Sequence, residues 1–430
     1  MKTTGGRIHY AWYVLLMGVL AVACVLGFAR FGYTIILPSM QKSLHLSNTQ
    51  AGTLATANLL GYACFALLGG AASSRFGPRR VISTGLLIIG VSMLLTGLVH
   101  SFLSAAALRL LTGIGSGLGN VPAVSLAAAW FSAPRRGLAA GVISAGSSVG
   151  IILVGSVVPS ILAVGPDGWR SAWYAYGATS LVAAVTVYAI LRDRPADKGL
   201  LPLGESAPAR PVAVPADSPA HSRPRNGLHW GRVYRSRSVW HLGVVYVAYG
   251  FSYFLYMTFF TKHLVTSAGY TTAAAGSLFM ILGWFSLLSG ILWGAISDRI
   301  GRKPALMIVY VWNAAAFALF ALSHRPVGFL ASAVLFGLSA WAVPSIIAAA
   351  CGDVVGARLA PAALGLATFL FALGQSLGPA VAGMIADSTG GFAPAFLLAA
   401  AVSLLGAVAA AFLRPLPTRS TPLIVPATED

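Results

Sequence analysis

Arg30 lies inside the first long apolar stretch of the chain, and none of the ten Asp and Glu residues lies in the middle of any such stretch. A cation in hydrocarbon is costly and marks a functional-site hypothesis by default. With no intramembrane carboxylate to pair with, it suits a site that receives a negatively charged guest. Tyr33, one turn on, can add a hydroxyl to the same site. The seventh apolar stretch carries Tyr246, Tyr249, Tyr253, Tyr256 and Phe260 at spacings of three or four, with Gly250 beside them. Tyrosine rather than leucine on one helical face indicates a polar cavity wall, because a buried hydroxyl needs a partner. Lys262, near the far end of that stretch, is either a second anion contact or a snorkelling rim residue. Asn58 and Tyr62, spaced i,i+4, together with Asn120 and Gln375, can each hydrogen-bond a carboxylate, and each can equally join helices. Trp284 and Trp341 read as packing residues, and His241 as interfacial.

The elements that position these residues follow from composition. The 430 residues are 57% hydrophobic and only 9% charged, against about 25% charged in a soluble domain. The apolar residues form runs of about 20, the length that spans a bilayer. Twelve runs are expected: 12–37, 50–73, 81–99, 103–131, 137–163, 169–191, 239–264, 272–296, 304–323, 327–350, 361–386 and 392–413. The first is too long for a cleaved signal and reads as a retained helix. The formal charge of +18 does not point to nucleic acid. Most Lys and Arg residues fall in segments that one topology puts on a single side, among them Lys2, Arg7, Arg75, Arg79, Arg80, Arg135, Arg136 and Arg358, which predicts both termini in the cytoplasm. Cys24, Cys64 and Cys351 read as small buried residues, not as disulfide or metal ligands.

The chain divides at a Pro- and Ala-rich segment that cannot bury enough surface to fold alone. The expected domains are 1–191, a six-helix bundle; 192–238, a flexible cytoplasmic linker; 239–414, a second six-helix bundle; and 415–430, a cytoplasmic tail. Gly52, Gly70, Gly77, Gly113, Gly141 and Gly150 recur as Gly276, Gly294, Gly301, Gly337, Gly365 and Gly374, and Arg75 recurs as Arg299, always 224 residues on. Such an internal repeat is how many secondary transporters build two halves around a central cavity. The fold class is therefore an all-α membrane protein of twelve transmembrane helices in two pseudo-symmetric six-helix bundles.

Two loops carry a family resemblance. Residues 70–80 read GAASSRFGPRR and residues 294–304 read GAISDRIGRKP. Both resemble the G-x-x-x-D-R-x-G-R-R/K loop of the major facilitator superfamily. The second copy matches through Gly294, Asp298, Arg299, Gly301, Arg302 and Lys303. The first has Ser74 at the acidic position and Pro78 at a basic one, so its latch is expected to be weaker or made differently. The resemblance implies a gating role for Arg75, Asp298, Arg299 and Arg302. Residues 109–119, RLLTGIGSGLG, resemble the family's R-x-x-x-G-x-G element and imply a structural or gating role for Arg109. The fifth run, with Gly141, Gly146, Gly150, Gly155 and Pro159, resembles the glycine-rich fifth helix and is expected to bend at its proline. Residues 27–40, GFARFGYTIILPSM, resemble the first helix of a poorly characterised bacterial subgroup with the pattern G-x-x-R-F-x-Y-x-x-x-x-P-x-M. A looser similarity connects the chain to monocarboxylate and oxalate–formate carriers. Those place a cation in the eighth helix, where this chain has none in the membrane interior. The resemblance further implies that the first and seventh helices line the cavity.

The expected activity is secondary active transport of a small organic anion, foremost a carboxylate, by alternating access, either as proton symport or as anion exchange. The alternative is export of drugs or other lipophilic compounds, which the tyrosines suit and Arg30 does not. A receptor or purely structural protein fits poorly with duplicated halves. No nucleophile–base spacing or metal-ligand set suggests an enzyme, and no cofactor is expected. The expected partners are the anion, a proton as candidate co-substrate, and membrane lipid, with no nucleic acid. A monomer in the bacterial inner membrane is expected.

Overall fold

A computed structural model describes residues 9–205, 233–356 and 359–413. Much of the expected linker, the tail beyond residue 413, and Lys2, Arg7 and Arg358 lie outside the described residues. The described chain is helical almost throughout and forms twelve membrane-spanning segments. In order they are α1 (Ala11–Ser43), α2 (Asn48–Phe76), α3 (Pro78–Thr96), α4 (Phe102–Trp130), α5 (Ala133–Ser144 and Gly146–Leu162), α6 (Gly168–Ile190), α7 (Arg237–Thr266), α8 (Thr272–Ile300), α9 (Arg302–Leu322), α10 (Pro326–Ser339 and Ala342–Val355), α11 (Ala360–Thr389) and α12 (Ala393–Ala411). Helical hydrogen bonds satisfy most of their backbone polar groups, as crossing hydrocarbon requires, and at the break in α10 the Trp341 amide donates to Ser289 of α8 at 3.0 Å instead. This is the all-α multi-pass membrane fold of two six-helix bundles.

Besides a 44° bend in α2 between Ala66 and Leu68, three helices depart from the regular form. In α1, residues Ala23–Phe31 wind as a π-helix, a geometry frequent at functional sites. The helix also continues to Ser43, six residues past the expected end at Leu37. That puts Arg30 about 20 Å from the far end of α1, at 1.5 Å per residue. The break in α5 falls at Ala145 rather than at Pro159, which stays inside a continuous helix. Pro159 instead packs against α8, where a Cβ on Gly276 would collide with its ring. In α10 the break falls at Ala340 and Trp341, next to the central aromatic residues described below.

The two halves, α1–α6 and α7–α12, meet mainly away from the termini. There α2 crosses α11 so closely that a Cβ on Gly52 would strike the Pro379 carbonyl, and one on Gly383 the Asn48 carbonyl. The symmetric crossing of α5 and α8 is made at Gly155 and Gly276. Small residues permit this backbone-to-backbone approach in a membrane, where no hydrophobic effect drives helices together. On the terminal side, Gly141 of α5, Gly294 of α8 and Gly365 of α11 face open space. No hydrogen bond or ion pair joins the halves there among the described residues. The halves are thus held together on the far side.

The repeat is visible in backbone geometry. Gly77 and Gly301, 224 residues apart, link α2 to α3 and α8 to α9 with φ of 85° and 93°, values that favour glycine. Residues 192–205, within the expected linker, lie against the first half. The Trp130 indole donates to the Arg192 carbonyl at 3.0 Å, and Leu203 pairs with Phe131 as an isolated bridge. Of the cysteines, Cys24 and Cys351 are buried as expected, whereas Cys64 is exposed.

Candidate functional site

Arg30 sits near the middle of α1, between the halves. Its guanidinium carbon is 4.2 Å from the Tyr62 ring centroid, on α2, and 5.0 Å from the Phe254 ring centroid, on α7. Cation–π contacts of this kind contribute about 0.5–2 kcal/mol. They do not replace hydrogen bonds: Nε and Nη2 are buried and have no partner. An arginine in this position does not reach the membrane surface, so snorkelling is not its explanation. Arg30 and Thr34, one turn apart, line a small central cavity together with Asn58, Arg109, Phe254 and Thr258. Phe254 and Thr258 are the repeat equivalents of Arg30 and Thr34. In this closed-up centre there is room for about one water molecule.

A second cation holds the first in place. Arg109 of α4 is buried, its Nη1 donates to the Ala29 carbonyl at 2.7 Å, and its guanidinium lies 4.8 Å from the Tyr33 ring and 5.5 Å from the Trp173 ring. Ser116 of α4 donates to the Val25 carbonyl at 2.9 Å. Both acceptors belong to the π-helical stretch that carries Arg30. Arg109 therefore fixes backbone next to the anion-directed residue, and Asn58 Nδ2 donates to the Arg109 carbonyl at 3.3 Å.

The remaining expected site residues separate into two groups. Tyr62, Asn120, Tyr253 and Gln375 have polar atoms near the centre. Asn120 Nδ2 donates to the Tyr62 hydroxyl at 2.9 Å, which leaves the Tyr62 hydrogen free. The Tyr253 hydroxyl, the Asn58 Oδ1 and both amide atoms of Gln375 are buried without partners. By contrast, Tyr33 donates to the Ala51 carbonyl at 2.9 Å, Tyr249 to the Ala340 carbonyl, and Tyr256 shares a 2.9 Å hydrogen bond with Ser332. Those three hydroxyls are committed within their own halves. The structure does not bring Lys262 to Arg30: two helical turns separate it from Phe254, about 12 Å along α7. Of the other aromatic residues considered, Trp284 is exposed. The Trp341 ring is central, 5.9 Å from Tyr253 and 6.4 Å from Phe31. His241 joins α7 to the Ala409 carbonyl of α12 at 2.8 Å.

Several inter-half contacts have no counterpart in the sequence reading. Ser148 of α5 meets Ser286 of α8 at 2.8 Å and the Trp341 indole at 3.1 Å. Thr34 donates to the Met257 carbonyl at 2.9 Å, and Thr56 to the Ser376 carbonyl at 2.7 Å. At the far end Asp387 of α11 accepts from the Asn48 and Thr49 amides at 2.9 and 2.7 Å and from the Thr49 hydroxyl at 2.6 Å. A carboxylate on the first amides of α2 satisfies orphan donors and complements the helix dipole.

The two repeat loops are built differently. In the second, Arg302 bridges Asp298 at 2.6 Å and Asp353 of α10 at 3.0 Å, and also donates to Ser297. In the first, Ser74 bonds only to the Gly70 and Ala71 carbonyls of its own helix. The acid comes from elsewhere: Asp193 accepts from the Arg79 amide at 2.8 Å at the start of α3, and Arg79 Nε donates to the Tyr188 carbonyl. Arg75 and Arg299 are exposed, Arg75 over the Phe76 ring.

Paired six-helix halves, close far-side crossings and a polar centre define a secondary transporter of the major facilitator fold, moving small solutes by alternating access, and not an enzyme. The chain belongs to the family described as "Uncharacterised MFS-type transporter YbfB", which matches residues 22–411. It is 26% identical to the "Probable sulfoacetate transporter SauU" of Cupriavidus necator, over 94% of this chain and 95% of that one. It is 25% identical to the "Hexuronate transporter" of Bacillus subtilis, over 90% and 91%. Among solved structures, a D-xylose-proton symporter superposes with a TM-score of 0.69 at 18% identity, over 95% of this chain and 98% of that one.

Proposed function

We propose that the chain carries a small organic anion, a carboxylate or a similar acid, across the bacterial inner membrane. The observation that carries this reading is Arg30: a guanidinium at mid-membrane, between the halves, with two buried nitrogens unpartnered. The names of the sulfoacetate and hexuronate relatives support an anionic cargo. Tyr62, Asn58, Asn120, Tyr253 and Gln375 supply the neutral polar contacts. Tyr33, Tyr249 and Tyr256 hold the wall behind them, and Lys262 serves the rim. The excess of Lys and Arg on the terminal side supports cytoplasmic termini, so the side on which the halves are not bonded together faces inward.

The halves rock about the central site, joined through the 192–238 linker, and a monomer suffices. Arg302 with Asp298 and Asp353, and Arg75, Arg299 and Arg109, act in gating or in holding the gate helices. No carboxylate lies at mid-membrane among the described residues, so coupling runs through anion exchange or through a proton carried with the anion. The test is a thermal-shift screen of purified protein against carboxylates, sulfonates and amphiphilic cations, followed by proteoliposome uptake with and without a pH gradient. Anions are expected to stabilise the protein. Stabilisation by cations alone refutes the reading in favour of a lipophilic exporter.

A further inference from the structure

We infer that the cargo is an aromatic monoanion, such as an arylcarboxylate or arylsulfonate, and not a polyhydroxylated acid. The inference rests on the anion reading above and narrows it. Six rings adjoin Arg30 or one another: Tyr62 and Phe254 face the guanidinium, Tyr253 lies 4.9 Å and Phe371 6.1 Å from Phe254, and Trp341 lies 5.9 Å from Tyr253 and 6.4 Å from Phe31. Phe371 and Trp341 are only half-buried, whereas the other four are buried. Stacked or edge-on contact of a guest ring with Phe371 or Trp341 would extend this cluster.

The uncommitted polar atoms point the same way. Donors remain on Arg30, Tyr253 and Gln375, whereas the amide acceptors buried there without partners among the described residues are Asn58 Oδ1 and Gln375 Oε1. One anionic head is well served by this set. Several hydroxyl groups, each needing an acceptor for its hydrogen, would be left against rings, and a hydroxyl desolvated without a partner costs affinity.

Dissociation constants measured on the full-length protein for matched probes test this: benzoate and benzenesulfonate against acetate, methanesulfonate and glucuronate. The aromatic probes are expected to bind at least tenfold more tightly than their aliphatic partners and than glucuronate. Phe371→Leu should narrow the aromatic-to-aliphatic ratio by about two- to tenfold, while Phe371→Tyr, which keeps the ring, retains it. Acetate or glucuronate binding as tightly as benzoate overturns the inference and leaves the anion reading standing. An unchanged ratio in Phe371→Leu also overturns it. Binding of amphiphilic cations with no anion bound overturns both.

Discussion

Replacing Asp387 with Asn should open the far side of the transporter. Asp387 is the one carboxylate among the described residues that joins the two halves, and it does so through three hydrogen bonds to the first turn of α2. Charge-assisted hydrogen bonds contribute about 1.5–3 kcal/mol each when shielded. Asp387 is exposed, so solvent screening lowers that figure, and asparagine keeps one acceptor oxygen. A net loss of about 1 kcal/mol is the appropriate scale. That corresponds to a roughly fivefold shift of the equilibrium toward the state in which α2 and α11 part. Spin labels at Lys42→Cys and Thr266→Cys, both exposed at far-side helix ends, report the separation of the halves. The exposed thiol is removed as Cys64→Ser. The long-distance population should rise about fivefold in Asp387→Asn. Asp167→Asn serves as the control, because Asp167 pairs with Arg170 at 3.2 Å inside one half. No change in Asp387→Asn, or an equal change in the control, would refute the lock.

The asymmetry of the repeat loops gives two further predictions. Asp193→Ala removes the acceptor at the start of α3 and should cost about 1 kcal/mol, whereas Ser74→Ala should change the melting temperature little, because Ser74 bonds only within its own helix. In the second loop Asp353→Asn should destabilise more than Asp298→Asn, since Asp353 is the less exposed partner of Arg302 (25% against 65%); thermal unfolding in detergent compares them. Arg109→Lys should impair anion binding although charge is kept, because an ammonium cannot both reach the Ala29 carbonyl and stack between Tyr33 and Trp173 as the guanidinium does. Normal binding in Arg109→Lys would show that α1 is positioned without it.

The twelve helices were readable in the sequence because hydrocarbon imposes a length and a composition on every span. The repeat was readable because glycines at close crossings and at left-handed turns recur at a fixed offset. Arg30 stood out because a lone charge in an apolar run is rare. Several partners of these residues were hidden for a physical reason: they come from other helices, some of them in the other half. Phe254 is an ordinary aromatic residue until α7 lays it over Arg30. Asp387 carries no pattern in the sequence, and only α11 brings it to the amides of α2. Ser148, Ser286 and Trp341 carry no pattern in one dimension, and their contact depends on how α5, α8 and the broken α10 cross. The π-helical turn around Arg30 has no sequence signature here. The tyrosines of α7 share a helical spacing in the sequence, yet which hydroxyls bond within their own half depends on packing.

The most direct test of the account is the thermal stability of Arg30→Gln, with and without anions. A structural arginine would destabilise the protein when removed. A binding arginine held without partners should not, so the unliganded variant is expected to melt at or above the wild-type temperature. In the wild type, benzoate at about 100 times its dissociation constant should add about 2.7 kcal/mol, and acetate and benzenesulfonate should be tested beside it. The account predicts that every anion-dependent rise seen in the wild type disappears in Arg30→Gln while the variant stays folded. An equal rise in the variant would contradict it.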